Sequence, residues 1–199
     1  VIESFCSNSG QACVATTKLL IKKSLLNKFT SLLIKRLKKI KNFKTILGPI
    51  TTKNQFNNIH NILKRNSKYD NNIIFGSRKR RKDQYIFPIV YNGLPEKNII
   101  NNLEIFGPVL SIKSFKDEND AIRLANDTQY GLSTIICCSN KKKAENISRM
   151  IKSGRIWINN SIGKSYPIFP IGGFKQSGFN RECGLEGFKT YTEIKSVLI

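Results

Sequence analysis

The stretch Val109-Leu110-Ser111-Ile112-Lys113-Ser114-Phe115, with Asp117 to Asn126 and Ser133-Thr134-Ile135-Ile136-Cys137-Cys138 behind it, decides the fold. The first and last of these segments are short apolar runs and read as strands. Between them Ala121, Ile122, Leu124 and Ala125 are the apolar residues of a helix that Asp117 caps. The pattern repeats downstream. Asn140 or Lys141 opens a helix to Ser153, Gly154 closes it, and Arg155 to Ile158 is another strand. Strand, helix, strand, helix, strand in this order predicts an α/β fold with a largely parallel sheet covered by helices.

Upstream, Val1 to Cys6 reads as the end of a helix, and Lys18 to Lys22 as a strand bounded by charge. Ser24 is positioned to cap a helix running to about Lys41, with Leu25, Phe29, Leu32, Leu33, Leu37 and Ile40 as its apolar stripe. Gly48-Pro49 breaks the chain before a second amphipathic helix, Lys53 to Arg65. There Phe56, Ile59, Ile62 and Leu63 face inward, and His60 falls off the stripe as a surface histidine. Ile73 to Phe75 and Tyr85 to Tyr91 are short strands flanking a hairpin-like excursion. Near the other end, Glu182 to Tyr191 reads as helical and Ile194 to Ile199 as a strand with no mate, a pairing hazard unless another chain covers it.

Parallel α/β sheets gather their chemistry in loops at strand ends. One such loop, Asn159 to Asn180, is long and carries Gly163, Pro167, Pro170, Gly172, Gly173 and Gly178, as functional loops tend to. Another is Asn8-Ser9-Gly10-Gln11-Ala12-Cys13, a cysteine just after a Gly-Gln pair. Converging backbone N–H groups at such a turn lower a thiol's pKa and can hold an oxyanion. Taken alone, a lone cysteine such as Cys13 is more often a small buried core residue.

Composition narrows the classes. The formal charge is +21, which suits a partner carrying negative charge. The densest run is Arg78-Lys79-Arg80-Arg81-Lys82, yet no nucleic-acid-binding signature accompanies it. A solvated turn in a lysine-rich chain is the preferred reading, and nucleic acid is not the expected partner. Five cysteines (Cys6, Cys13, Cys137, Cys138 and Cys183), with no Cys-x-x-Cys pair and His60 alone, point away from a disulfide framework and from a metal site. Cys137 and Cys138 read as reduced core residues of a buried strand. Without a leader or an apolar run long enough to cross a bilayer, a soluble, cytoplasmic protein that uses no membrane is expected.

Four segments then fall into register. Asn8-x-Gly10-Gln11-x-Cys13, Glu104-Ile105-Phe106-Gly107-Pro108-Val109, Asn126-x-x-x-Tyr130-Gly131-Leu132 and Pro170-Ile171-Gly172-Gly173-Phe174-Lys175-Gln176-Ser177-Gly178 resemble the aldehyde dehydrogenase superfamily in order and spacing. The resemblance implies a three-layer α/β/α catalytic domain over residues 1–190, with 191–199 as a subunit-bridging strand of a homo-oligomer. It implies oxidation of an aldehyde to a carboxylic acid with NAD or NADP as acceptor. Cys13 matches the family's nucleophile, passing through a thiohemiacetal and a thioester. Glu104 matches the carboxylate that binds the nicotinamide-side ribose, Phe106 an aromatic residue beside the nicotinamide, and Gln55 falls near a cofactor position. Asn8 is read as shaping the loop.

Three departures bear on substrate choice: Cys6 where aromatic or aliphatic residues are frequent, Ile171 in place of a frequent Phe at the aldehyde pocket, and Asn180 in place of Gly. The Lys175 to Gly178 variant is similar to betaine-aldehyde and succinate-semialdehyde members. The family's glutamate base and phosphate-binding turn have no counterpart here, so the chain is expected to be the catalytic half, with the N-terminal cofactor domain absent and little activity alone. The alternatives are a catalytically silent structural or binding fragment of the same fold and, behind it, a basic nucleic-acid-binding module.

Overall fold

The computed structural model of the protein describes residues 1–160 and 167–199. Gly163, one of the loop glycines above, lies outside the described residues. The chain forms two compact units, Val1–Leu124 and Ala125–Ile199.

The first unit contains α1 (Ile2–Cys6), β1 (Lys18–Lys22), α2 (Leu26–Lys38), α3 (Lys53–Arg65), β2 (Ile73–Phe75), β3 (Ile89–Asn92), α4 (Ile99–Asn102), β4 (Val109–Phe115) and most of α5 (Glu118–Asn126). Its sheet has the order β1-β4-β3-β2. β1 and β3 both run parallel to β4, with Lys18 opposite Ser111 and Ile89 opposite Val109. β2 is antiparallel to β3, with an irregularity between Ile73 and Phe75.

Alternation along the strands buries both faces of this sheet. Ile89, Tyr91 and Val109 join Phe56, Ile59 and Leu63 of α3 in one core. Val90, Leu110 and Ile112 join Phe5, Leu33 and Leu37 in another, formed with α1 and α2. Helices therefore cover each face, which is the three-layer order within this unit. Each fully buried Leu, Ile or Phe contributes about 1.5–3 kcal/mol. Asp117 accepts the Asp120 N–H at 2.9 Å and so caps α5 as expected.

The second unit contains β5 (Ser133–Ile136), α6 (Lys141–Met150), β6 (Arg155–Ile158) and α7 (Gly184–Lys189). β5 and β6 pair in parallel, with Ser133 opposite Arg155. Asn140 caps α6 by accepting the Lys143 N–H at 2.9 Å. Ile171 pairs with Glu182 in an isolated antiparallel bridge.

Several expectations are corrected. Ser24 makes no capping bond; a short 3-10 turn, Lys23–Leu25, precedes α2 instead. α2 ends at Lys38, and Leu25 and Leu32 are half exposed because the core takes only the Leu33 and Leu37 line. The strand expected over 85–91 forms only at Ile89–Asn92. His60 is half-buried, with its ring edge-on to Phe56 at 4.6 Å, because residue 60 sits one turn beyond residue 56. β5 stops at Ile136, which leaves Cys137 exposed and Cys138 half exposed. Gly154 does not close α6, which ends at Met150. Its function is close approach, since a β-carbon there would lie 1.6 Å from the Gly172 carbonyl oxygen. Apart from these corrections, Ile194 to Ile199, expected as a strand without a mate in this chain, pairs with no strand among the described residues, and Ile194 and Leu198 are fully exposed.

Candidate active site

Asn8, Ser9 and Gly10 take left-handed backbone conformations in succession, with φ of 48°, 58° and 74°. Non-glycine residues rarely do so, and a run of them must be fastened by its surroundings. Three sets of contacts do this. The buried Ser9 hydroxyl donates to the Gly48 carbonyl at 2.8 Å. The Asn8 side chain donates to the Gln11 carbonyl at 3.0 Å, and the Gln11 N–H donates to the Asn8 carbonyl at 3.0 Å. The Gln11 amide forms a clamp: its oxygen accepts from Thr51 N–H (2.9 Å) and Thr51 Oγ1 (3.0 Å), while its nitrogen donates to the Asn8 carbonyl (3.2 Å) and the Pro49 carbonyl (3.4 Å). Asn8 thus shapes the loop, as its sequence position suggests.

Cys13 follows this turn and is exposed. The other cysteine of the segment, Cys6, is buried in the core, and burial pushes its pKa up to about 12. Its thiol stays protonated and is a poor nucleophile.

The second half of the site is the loop between α4 and β4. Asn98 caps α4 by accepting the Ile100 N–H at 2.9 Å, and Asn101 donates to the Pro95 carbonyl at 2.7 Å and accepts from the Ser111 hydroxyl of β4. Both ends of the loop are thereby held. Ile105 is buried, while Phe106 is half-buried with φ 56°. Gln55, on α3, donates to the carbonyls of Ile105 at 2.9 Å and Phe106 at 3.3 Å. Its amide is therefore engaged in shaping this loop. Glu104 is exposed and makes no hydrogen bond or ion pair among the described residues, so both oxygens can accept from a diol.

The two loops meet backbone to backbone. A β-carbon on Gly10 would lie 2.2 Å from the carbonyl carbon of Gly107 and 2.7 Å from the nitrogen of Pro108. The turn that carries Cys13 is therefore seated on the segment following Glu104 and Phe106. Ile171 belongs to the other unit, half-buried at its bridge to Glu182. The Gln11–Thr51 clamp is not visible in the sequence reading, because its partners lie 40 positions apart; the Gly-Gln pair was its only trace. Among the described residues no group of His, Cys, Asp and Glu could hold a metal ion, and no helix is long and apolar enough to cross a membrane.

A parallel α/β frame with an exposed thiol on a clamped turn is the class of protein that fold and site define. Within that class, the chain belongs to the aldehyde dehydrogenase family, which it matches over residues 1–197. It is 33% identical over 205 residues to aldehyde dehydrogenase [NAD(P)+] 1 of Saccharomyces cerevisiae, covering 96% of this chain and 40% of that one. It is 34% identical over 200 residues to the chloroplastic betaine aldehyde dehydrogenase of Beta vulgaris, covering 95% and 39%. The crystal structure of an NAD-dependent aldehyde dehydrogenase from Sinorhizobium meliloti superposes with a TM-score of 0.90 at 31% identity, covering 98% of this chain and 40% of that one. A betaine aldehyde dehydrogenase from Staphylococcus aureus in complex with NAD+ gives 0.88 at 31%, covering 96% and 39%. The chain thus spans about two fifths of the length of the curated relatives it matches.

Proposed function

We propose that Cys13 is the nucleophile of an NAD- or NADP-dependent oxidation of an aldehyde to a carboxylic acid, and that this chain is the thiol-bearing half of the enzyme. The observation that carries the reading is the seating of the Cys13 turn on the Glu104–Phe106 loop through Gly10 and Gly107. The Cys13 thiolate forms a C–S bond to the aldehyde carbon, and the carbonyl π electrons move onto oxygen. The backbone N–H of Cys13 meets no acceptor among the described residues and is available to donate to that oxygen. A nicotinamide dinucleotide, when bound, supplies the acceptor for the hydride that leaves the carbon. Water then adds to the Cys13 thioester, the sulfur leaves as thiolate, and the acid departs.

Glu104 is proposed to hold the ribose diol, Phe106 to wall the nicotinamide end, and Ile171 to line the aldehyde pocket. The general base and the side-chain amide of the oxyanion site are assigned to the part of the relatives that this chain does not match. The exposed segment from Ile194 to Ile199 is assigned to pairing between subunits of a homo-oligomer. Five free cysteines suit a reducing compartment such as the cytoplasm.

Peptide mapping after brief iodoacetamide treatment of the native protein at pH 8 tests the thiol assignment. Cys13 is expected to alkylate at least tenfold faster than the exposed Cys137 and Cys183, and Cys6 to react only after unfolding. Cys13 reacting no faster than Cys183 would sink the assignment. Steady NADH formation from an aldehyde by the 199 residues alone would show the base or the cofactor site to be misplaced.

A further inference from the structure

The basic excursion between β2 and β3 borders an open cleft of about 620 Å³, within the ~300–1,000 Å³ of small-ligand sites. Its lining divides by chemistry. Phe43, Phe75 and Phe87 form an aromatic floor, with Phe43 edge-on to Phe75 at 6.0 Å and tilted against Phe87 at 5.6 Å. Four cations, Lys79, Arg80, Arg81 and Lys82, share the rim with one carboxylate, Asp83. Arg81 and Lys44 both bind Asp83, at 2.8 and 2.9 Å, so that carboxylate is fully engaged. Lys79, Arg80 and Lys82 have no carboxylate partner among the described residues. Arg80 is held over the Phe56 ring at 4.9 Å, with one nitrogen donating to Asn57 Oδ1, which leaves further donors of its fork unused.

A second observation points to the same cavity. His60 lines it, and the His60 Nε2, buried from solvent, has no hydrogen-bond partner among the described residues. Buried polar atoms are normally satisfied, so a small turn of this ring toward the cavity would gain a partner from a ligand's polar atom. An aromatic floor, three uncompensated cations and an unsatisfied imidazole nitrogen make a site for a molecule that is apolar at one end and multiply anionic at the other.

We infer that this cavity is a binding site for a small organic phosphate, whose apolar body lies on Phe43, Phe75 and Phe87 and whose phosphate is held by Lys79, Arg80 and Lys82. The site is separate from the Cys13 turn and does not rest on the dehydrogenase reading.

Phenyl phosphate carries both halves; inorganic phosphate and phenol each carry one. Calorimetry on the protein is expected to show phenyl phosphate binding at least tenfold more tightly than either half. Lys79→Ala with Lys82→Ala, two exposed side chains, should weaken phenyl phosphate at least tenfold and leave phenol unchanged, with an unaltered amide NMR spectrum. His60 is the only histidine in the chain, so its ring protons report without assignment. Burial and the nearby Arg80 hold its pKa below the ordinary value. A bound phosphate favours the imidazolium, so its titration midpoint should rise with phenyl phosphate and stay put with phenol. Inorganic phosphate binding as tightly as phenyl phosphate, the double variant binding normally, His60 failing to respond, or duplex DNA binding where phenyl phosphate does not would each overturn the inference.

Discussion

Gly10 and Gly107 touch backbone to backbone, and the first of them has φ 74°. Both features exclude a side chain at Gly10: the conformation strains an L-residue, and the space is filled by rigid main chain. Gly10→Ala is expected to cost at least about 2 kcal/mol in urea unfolding. It should also abolish the fast alkylation of Cys13, because the turn can no longer sit on the Glu104 loop. At Gly107 the nearest atoms to an added β-carbon belong to the Ile59 side chain, its Cδ1 at 2.8 Å, rather than to main chain, so Gly107→Ala should cost less. If Gly10→Ala proved as stable as the natural chain, the two loops would not be in contact in solution.

The Gln11 clamp makes a separate prediction. Gln11→Ala removes the acceptor for both Thr51 donors and the donor to the Asn8 and Pro49 carbonyls. These groups are near solvent and water can replace the lost partners, so global stability should fall by only about 1 kcal/mol. The Cys13 alkylation rate should fall further, at least threefold, because the left-handed run before it loses its fastening. Thr51→Val removes one of the four bonds and should produce a fraction of both effects. Equal alkylation rates in the natural protein and Gln11→Ala would show that the turn holds without the clamp.

The contrast between these residues explains what the sequence could disclose. β1, α3, β4 and β6 run over the expected residues, because each is an apolar run or stripe with sharp polar edges. α2 overran because Ile40 and Leu25 keep the apolar period beyond the turns that the core accepts. β5 was drawn long because Cys137 and Cys138 are apolar enough to extend the run but lie beyond the last partner, Ile158 of β6. Cys13, Glu104 and Phe106, the residues proposed for the site, were singled out through motif order. The Gln11–Thr51 and Gln55–Ile105 bonds were not, since each joins a side chain to backbone 40 to 50 positions away and leaves no periodic trace.

Acid titration tests how the first unit is fastened below its sheet. Glu96 accepts from Arg123 of α5 at 2.6 Å and is paired with Lys113 of β4 at 3.1 Å. Those bonds, Arg123's first, lower its pKa from 4.5 to about 2. A carboxylate whose folded pKa is depressed contributes stability above its unfolded pKa and loses it as pH falls through the folded value. The difference in urea midpoint between the natural chain and Glu96→Gln should therefore be constant above about pH 5. It should shrink steadily between pH 4.5 and pH 2, where Glu96 takes up its proton. The effect is modest, because the Glu96 side chain is 41% exposed and water screens the pair. Added salt at pH 7 should shrink it too. A difference that stayed the same from pH 7 down to pH 2 would mean that Glu96 acts through shape or hydrogen bonding alone, and that its charge ties neither β4 nor α5.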